Sequence, residues 1–237
     1  MKFRDTWLSA LLKRAVLASS EFAAERGWQL AAYNPALFAF YHVIARDNAP
    51  GMIAAIEETF PAAGAYLDVG AGSGAFSAEA RRRGKRVVAC EHSPFGRAIA
   101  RMQRVDSRPF DLERQPPADV EQADVALCLE VAEHVPPEMA DQLIEFLTRH
   151  AGNIVFSAAH PGQGGTGHIN EQPKEYWIER FAQAGASHDA EASSRLVDSL
   201  ERQRMTRPWY RQNAMAFRGR LATATNGAGP VAVHAIQ

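Results

Sequence analysis

Two spacings of apolar residues alternate along this chain. Short apolar runs rich in β-branched residues are separated by stretches whose apolar positions recur every three or four residues, a pattern that predicts strands alternating with helices. The first strand is expected at residues 65–70, with a helix from Ser73 to about Arg83. A strand over Arg86–Glu91 and a helix from Pro94 to about Arg104 follow, proline suiting the first helical turn. A weakly marked third strand is expected near 105–109 and a fourth over Ala123–Leu129. A helix from Pro136-Pro137-Glu138 to about His150 then leads to a fifth strand over Asn153–Ser157. The helix from Pro173 to about Ala184 is stopped by Gly185. A strand near 186–191, a helix over 194–206 and a last strand over Arg211–Arg218 complete the series. Such alternation implies an α/β fold with a mostly parallel sheet covered on both faces.

Upstream, Trp7, Leu8, Leu11, Leu12, Ala15 and Val16 recur at helical spacing within residues 5–26, and Trp28, Tyr33, Phe38, Phe40 and Tyr41 follow. Residues 1–50 are therefore expected to form a helical cap that packs on the core or closes over a ligand. The main domain is expected over 51–218. Residues 219–237, rich in Ala, Gly and Thr, read as a flexible tail. There is no internal repeat.

Composition narrows the picture only a little. The chain has 237 residues, enough for one α/β domain with additions. With 46% apolar and 22% charged residues it is ordinary for a soluble globular protein. A net charge of −1 gives no electrostatic reason for a nucleic-acid partner. The basic run Arg81-Arg82-Arg83 reads as a helix end favoured by its dipole. No run of 18 apolar residues predicts a membrane span, and Lys13, Arg14 and Glu21 interrupt any signal-peptide core. The two cysteines, Cys90 and Cys128, fall on strands flanking the first, about 10 Å apart by strand spacing. That exceeds the reach of a disulfide. Two free thiols and a reducing, cytoplasmic setting are expected.

The chemistry concentrates after the first strand, in Asp68-Val69-Gly70-Ala71-Gly72-Ser73-Gly74. Glycines there admit a tight turn and close approach of a ligand, and the following helix points its free N–H groups into the same space. The same residues satisfy Gly-x-Gly-x-x-Ala through Gly70, Gly72 and Ala75, so a dinucleotide site is a rival reading. Asp68 argues against it, because an acid at that strand end asks for a cationic partner. An acid also ends the second strand, Glu91, about 20 residues on, where it can accept from ribose hydroxyls. A third acid, Asp111, follows the third strand.

This set resembles the class I S-adenosylmethionine-dependent methyltransferases, whose first motif Asp/Glu-x-Gly-x-Gly-x-Gly is matched without departure by Asp68 to Gly74. Leu129-Glu130-Val131-Ala132-Glu133-His134-Val135-Pro136 likewise resembles a segment of many small-molecule methyltransferases. The resemblance implies a Rossmann-like, doubly wound, seven-stranded sheet whose last strand inserts antiparallel between the fifth and sixth. It implies S-adenosyl-L-methionine as cofactor. Asp68, Gly70, Ala71, Gly72 and Gly74 would hold its methionine end, and Glu91 its ribose. His92, Asp111 and Leu112 would lie along the adenine, with Leu129 and Glu130 beside the methionine.

The polar, glycine-rich loop from Phe156 to Pro173 is expected on the methyl-donor side. His168, and after it His160, are candidate general bases. Asn170, Glu171 and Tyr33 are candidate acceptor contacts, with a cap before Pro173 as the alternative for Asn170 and Glu171. His160, His168 and Glu171 have no recognised metal-ligand spacing, and no metal is expected. The implied activity is methyl transfer to oxygen or nitrogen of a small molecule, with no nucleic-acid or membrane partner. The alternatives are an NAD(P)-dependent oxidoreductase and a non-catalytic binding protein on the same fold.

Overall fold

The computed structural model describes residues 14–20, 22–23, 34–114, 117, 119–203, 205 and 207–220. Helix α1 spans Pro35–Thr59, followed by β1 (Ala65–Val69), α2 (Ala75–Arg82), β2 (Arg86–Glu91) and α3 (Pro94–Met102). Then come β3 (Ser107–Pro109), β4 (Ala123–Leu129), α4 (Ala140–His150), β5 (Ala151–Ser157) and α5 (Lys174–Gln183). Strand β6 (Ser187–His188), α6 (Ala190–Arg202), α7 (Pro208–Asn213) and β7 (Met215–Arg218) end the described chain. The seven strands lie in the order β3-β2-β1-β4-β5-β7-β6. β7 is antiparallel to both β5 and β6, and the other pairings are parallel.

Period-two alternation sorts the strand residues between two cores. Leu67, Val69, Ala126, Cys128, Ile154 and Phe156 pack with Leu143 and Leu147 of α4 and Trp177 and Phe181 of α5. Tyr66, Val125, Leu127 and Val155 face the other way, against Met52, Ile53 and Ile56 of α1, Phe76 of α2, and Leu196 and Leu200 of α6. The doubly wound architecture is thus as expected.

Several boundaries differ from expectation, each for a local reason. The division at residue 50 falls inside α1, which runs through Pro50. Ala49-Pro50-Gly51 reads as a break, yet Ala49, Met52, Ile53 and Ile56 are all buried in the core, and that burial holds one helix together. Its start obeys local rules: the Asn34 side chain accepts from Leu37 N at 3.0 Å, and Pro35 occupies the first turn. The last strand was expected from Arg211, but Pro208–Asn213 is helical and pairing begins at Met215. β6 is short because Asp189 caps α6, accepting from Ala192 N at 2.9 Å, so this helix starts at Ala190. Helix α2 starts at Ala75, not Ser73, because Gly74 is left-handed at φ 74°.

Of the expected helix over 5–26, residues 14–20 and 22–23 are described and helical. Trp7, Leu8, Trp28 and Tyr33 lie outside the described residues, as do 221–237 of the expected tail. No helix among the described residues is long and apolar enough to cross a membrane.

Candidate functional site

The carboxyl ends of β1, β2 and β4 open onto one cavity of about 920 Å3. Its floor is the glycine turn. Gly70 N and Ala71 N both donate to Cys90 O, at 2.9 and 3.0 Å, pinning the turn to β2. A Cβ at Gly70, where φ is +73°, would overlap the Val131 side chain. This position therefore needs glycine for both backbone and space.

Asp68 is buried, and its Oδ2 accepts from Ser77 Oγ at 2.6 Å. Burial pushes its carboxyl up to about 6, with Ser77 pulling the other way. A cationic ligand group beside it would reverse that shift. Glu91 is also buried, and desolvation raises its pKa. Its oxygens accept from Gly72 N and Ser93 N, both at 2.6 Å, so it ties the glycine turn to the start of α3. Asp111 Oδ1 accepts from Glu113 N at 3.0 Å, and His92 Nδ1 lies 3.2 Å from Phe110 O. Both border the cavity with Leu112, Leu129 and Glu130.

Glu130 sits at the end of β4 in a left-handed conformation, φ 56°. Burial raises its pKa against hydrogen bonds from Ser157, Asn213 and Gln163. The structure thus gathers Asp68, Gly70, Ala71, Gly72, Glu91, His92, Asp111, Leu112, Leu129 and Glu130 around one space. Gly74 stands just behind the turn, donating to Ala71 O at 2.8 Å.

The glycine-rich loop divides the remaining candidates. His168 borders the cavity. His160 is exposed and its Nδ1 lies 3.2 Å from Pro161 O; it does not border the cavity, which removes the ground for a direct role. Asn170 is buried under the loop, donating to Ala132 O at 3.4 Å. Glu171 accepts from Gly162 N at 2.8 Å, Gly164 N at 2.7 Å and His168 Nδ1 at 2.8 Å. Burial opposes its charge, yet those bonds hold its pKa low. Asn170 and Glu171 order the loop, and neither reaches the cavity wall. The other side of the cavity carries Phe40, Tyr41, Trp209 and Tyr210, with Arg207 5.3 Å over the Trp209 ring.

Three residues here escaped the sequence reading. Asn213 holds Glu130, Trp209 belongs to a segment read as strand, and Glu133 is fully buried against the cavity. Only Glu133 carried a signal, an acid inside an otherwise apolar strand-end segment.

A seven-stranded sheet with an antiparallel seventh strand, and a glycine turn with acids at three strand ends, is the arrangement found in class I S-adenosylmethionine-dependent methyltransferase domains. Residues 67–156 match the family described as a methyltransferase domain. Over 130 residues the chain is 30% identical to the ubiquinone biosynthesis O-methyltransferase of Acinetobacter baumannii, covering 52% of this chain and 49% of that protein. The protein of that name from Alkalilimnicola ehrlichii is 30% identical over 129 residues, covering 52% of this chain and 47% of it. The chain spans about half the length of these relatives. Among solved structures, the sugar N-methyltransferase KedS8 from a Streptoalloteichus species superposes with a TM-score of 0.56 at 16% identity, over 73% of this chain and 87% of that one. CalS10, an amino pentose methyltransferase from Micromonospora echinaspora, gives 0.55 at 16% identity, over 73% and 91%. These two share the fold. The matched family favours the methyltransferase reading of the glycine turn over the dinucleotide one.

Proposed function

We propose that this chain transfers the methyl group of S-adenosyl-L-methionine to a small-molecule acceptor. One observation carries the reading: three acids at successive strand ends, Asp68, Glu91 and Asp111, border a single cavity whose far side is aromatic. Among the described residues the hydrogen-bond donors to the buried Asp68 carboxylate are the Ser77 hydroxyl and the Ser77 amide, which leaves it suited to a ligand ammonium. Gly70, Ala71 and Gly72 leave room for the methionine part. The Glu91 oxygens, already oriented by two amides, keep lone pairs for ribose hydroxyls. Asp111 and Leu112 stand where the adenine edge would lie, beside His92.

The sulfonium supplies a good leaving group, so the protein has chiefly to position the acceptor. The acceptor atom must lie in line with the methyl–sulfur bond, about 3 Å away, in a water-poor space. Phe40, Tyr41, Trp209 and Tyr210 exclude water and suit an acceptor with an apolar or aromatic body. The related proteins are named for both oxygen and nitrogen acceptors. We assign His168, braced by Glu171 at 2.8 Å, to the activation of an acceptor hydroxyl, directly as a base or through a group that it holds.

Calorimetric titration with S-adenosylmethionine, S-adenosylhomocysteine and NADH tests the reading. Micromolar binding of the first two with no response to NADH is expected. Binding of NADH alone would overturn it and take the assigned roles of Asp68 and Asp111 with it.

A further inference from the structure

Beneath the loop, Glu133, His134 and His168 meet at the cavity wall. A carboxylate oxygen of Glu133 and one ring nitrogen from each histidine all lie within 4.8 Å of one another. We propose that these three side chains bind a divalent metal ion, of the Zn2+ or Mn2+ type that imidazole and carboxylate ligands favour.

The second observation is Glu133 itself. It is 0% exposed, and among the described residues neither carboxylate oxygen has a partner at hydrogen-bond geometry, although the amides of Glu133 and Ala159 approach it. A buried carboxylate without a partner is costly, and a cation removes the cost. The histidines are oriented for the same purpose. His134 Nδ1 lies 3.1 Å from Gly167 O, and His168 Nδ1 lies 2.8 Å from Glu171 Oε1. Each contact sets an Nδ1 against an oxygen acceptor, which suits a proton on that nitrogen. Metal-bound histidines show this pattern, the far nitrogen donating to a carbonyl or carboxylate. Glu171 is itself held by Gly162 N and Gly164 N, which makes an outer layer for the site.

Donor atoms around an ion at about 2.1 Å stand roughly 3.0–3.4 Å apart. From separations of up to 4.8 Å, the three groups therefore close by at most about 1.8 Å on binding. His168 lies on the glycine-rich loop, where Gly162, Gly164 and Gly167 already adopt positive φ, and this loop supplies the movement. The sequence suggested His160, His168 and Glu171 as the possible ligands and no recognised spacing. In the fold His160 turns away, Glu171 becomes the outer partner, and Glu133 and His134 take their places.

The consequence for chemistry rests on the methyltransferase reading. An ion bordering the cavity coordinates an acceptor hydroxyl and lowers its pKa. The hydroxyl proton leaves to solvent, an oxygen lone pair forms the C–O bond, and the methyl–sulfur bond breaks with its electron pair staying on sulfur. A methyl ether and S-adenosylhomocysteine result, and the ion is unchanged. His168 then acts as a ligand, and the acceptor atom is oxygen.

The test is titration of the full chain, without a polyhistidine tag, with Co2+ as a spectroscopic probe, alongside separate titration with S-adenosylhomocysteine. One equivalent of Co2+ with visible ligand-field bands is expected, displaced by Zn2+. Glu171→Gln should weaken it about 10–100-fold, as loss of an outer partner does, and Glu133→Gln or His168→Gln by more. Absence of stoichiometric Co2+ binding to the wild-type chain, or equal binding by all three variants, would overturn the proposal even where S-adenosylhomocysteine binds. Co2+ binding without S-adenosylhomocysteine binding would uphold the metal site and defeat the methyltransferase reading instead.

Discussion

The side-chain amide of Asn213 reaches both oxygens of Glu130, at 3.1 and 3.2 Å, and so joins the end of β4 to the entry of β7. Both residues are largely buried, and Glu130 takes a left-handed backbone to present its carboxylate there. Asn213→Ala removes this donor from a buried acid. It should destabilise the fold by about 1.5–3 kcal/mol, the range for hydrogen bonds to charged groups. Chemical denaturation would measure it, and no change would show that water satisfies Glu130 as well.

Asp68 predicts a pH signature. Its folded pKa of about 6 lies above the ordinary 3.8, so the folded state holds the proton more tightly than the unfolded one. The contribution to stability is therefore present at low pH and is lost as pH rises from about 4 to about 6. Its size is on the order of 3 kcal/mol. Glu91 and Glu130 are shifted the same way, so the comparison has to be differential. Asp68→Asn should flatten part of the wild-type slope of Tm against pH in this interval. Parallel curves would remove the shift. Asp68→Ala should also weaken S-adenosylmethionine binding by about 1.5–3 kcal/mol.

Gly70→Ala places a methyl group against Val131 at a positive φ. Strain and overlap together should cost about 2–4 kcal/mol of stability and weaken S-adenosylhomocysteine binding in step, because the floor of the cavity shifts. Thermal melts and titration of the same variant check both. Unchanged binding would mean that the turn does not form the ligand floor.

Cys90 and Cys128 are free and fully buried. Burial pushes the Cys90 thiol up to about 12 and Cys128 well above its usual value. Neither thiol should react with a thiolate-specific reagent in the native protein, and both should react after denaturation. Rapid native labelling would reveal an opening of the sheet.

His168→Ala should lower turnover by much more than it lowers cofactor affinity, since His168 stands on the acceptor side of the cavity. Equal loss of both, read by steady-state kinetics and calorimetry, would assign it to loop ordering alone.

The sequence by itself determined the doubly wound sheet, the glycine turn and the three strand-end acids. These depend on short-range chemistry: period-two burial on strands, glycine at positive φ, and residues placed by the end of the strand they follow. The tertiary structure alone decided which polar groups of the long loop face the cavity. The sequence ranks His168 ahead of His160 without a geometric reason; the bonds from Gly162 N, Gly164 N and His168 to Glu171 fold the loop so that, of the two, His168 turns inward. It also decided that α1 continues through Pro50, because the packing of Met52, Ile53 and Ile56 outweighs a local break. The pairing of Asn213 with Glu130, 83 residues apart, and the meeting of Glu133 with His168 have no trace in local pattern. Contacts of that kind are set by how the strands order themselves in the sheet, and strand order is a property of the packed whole.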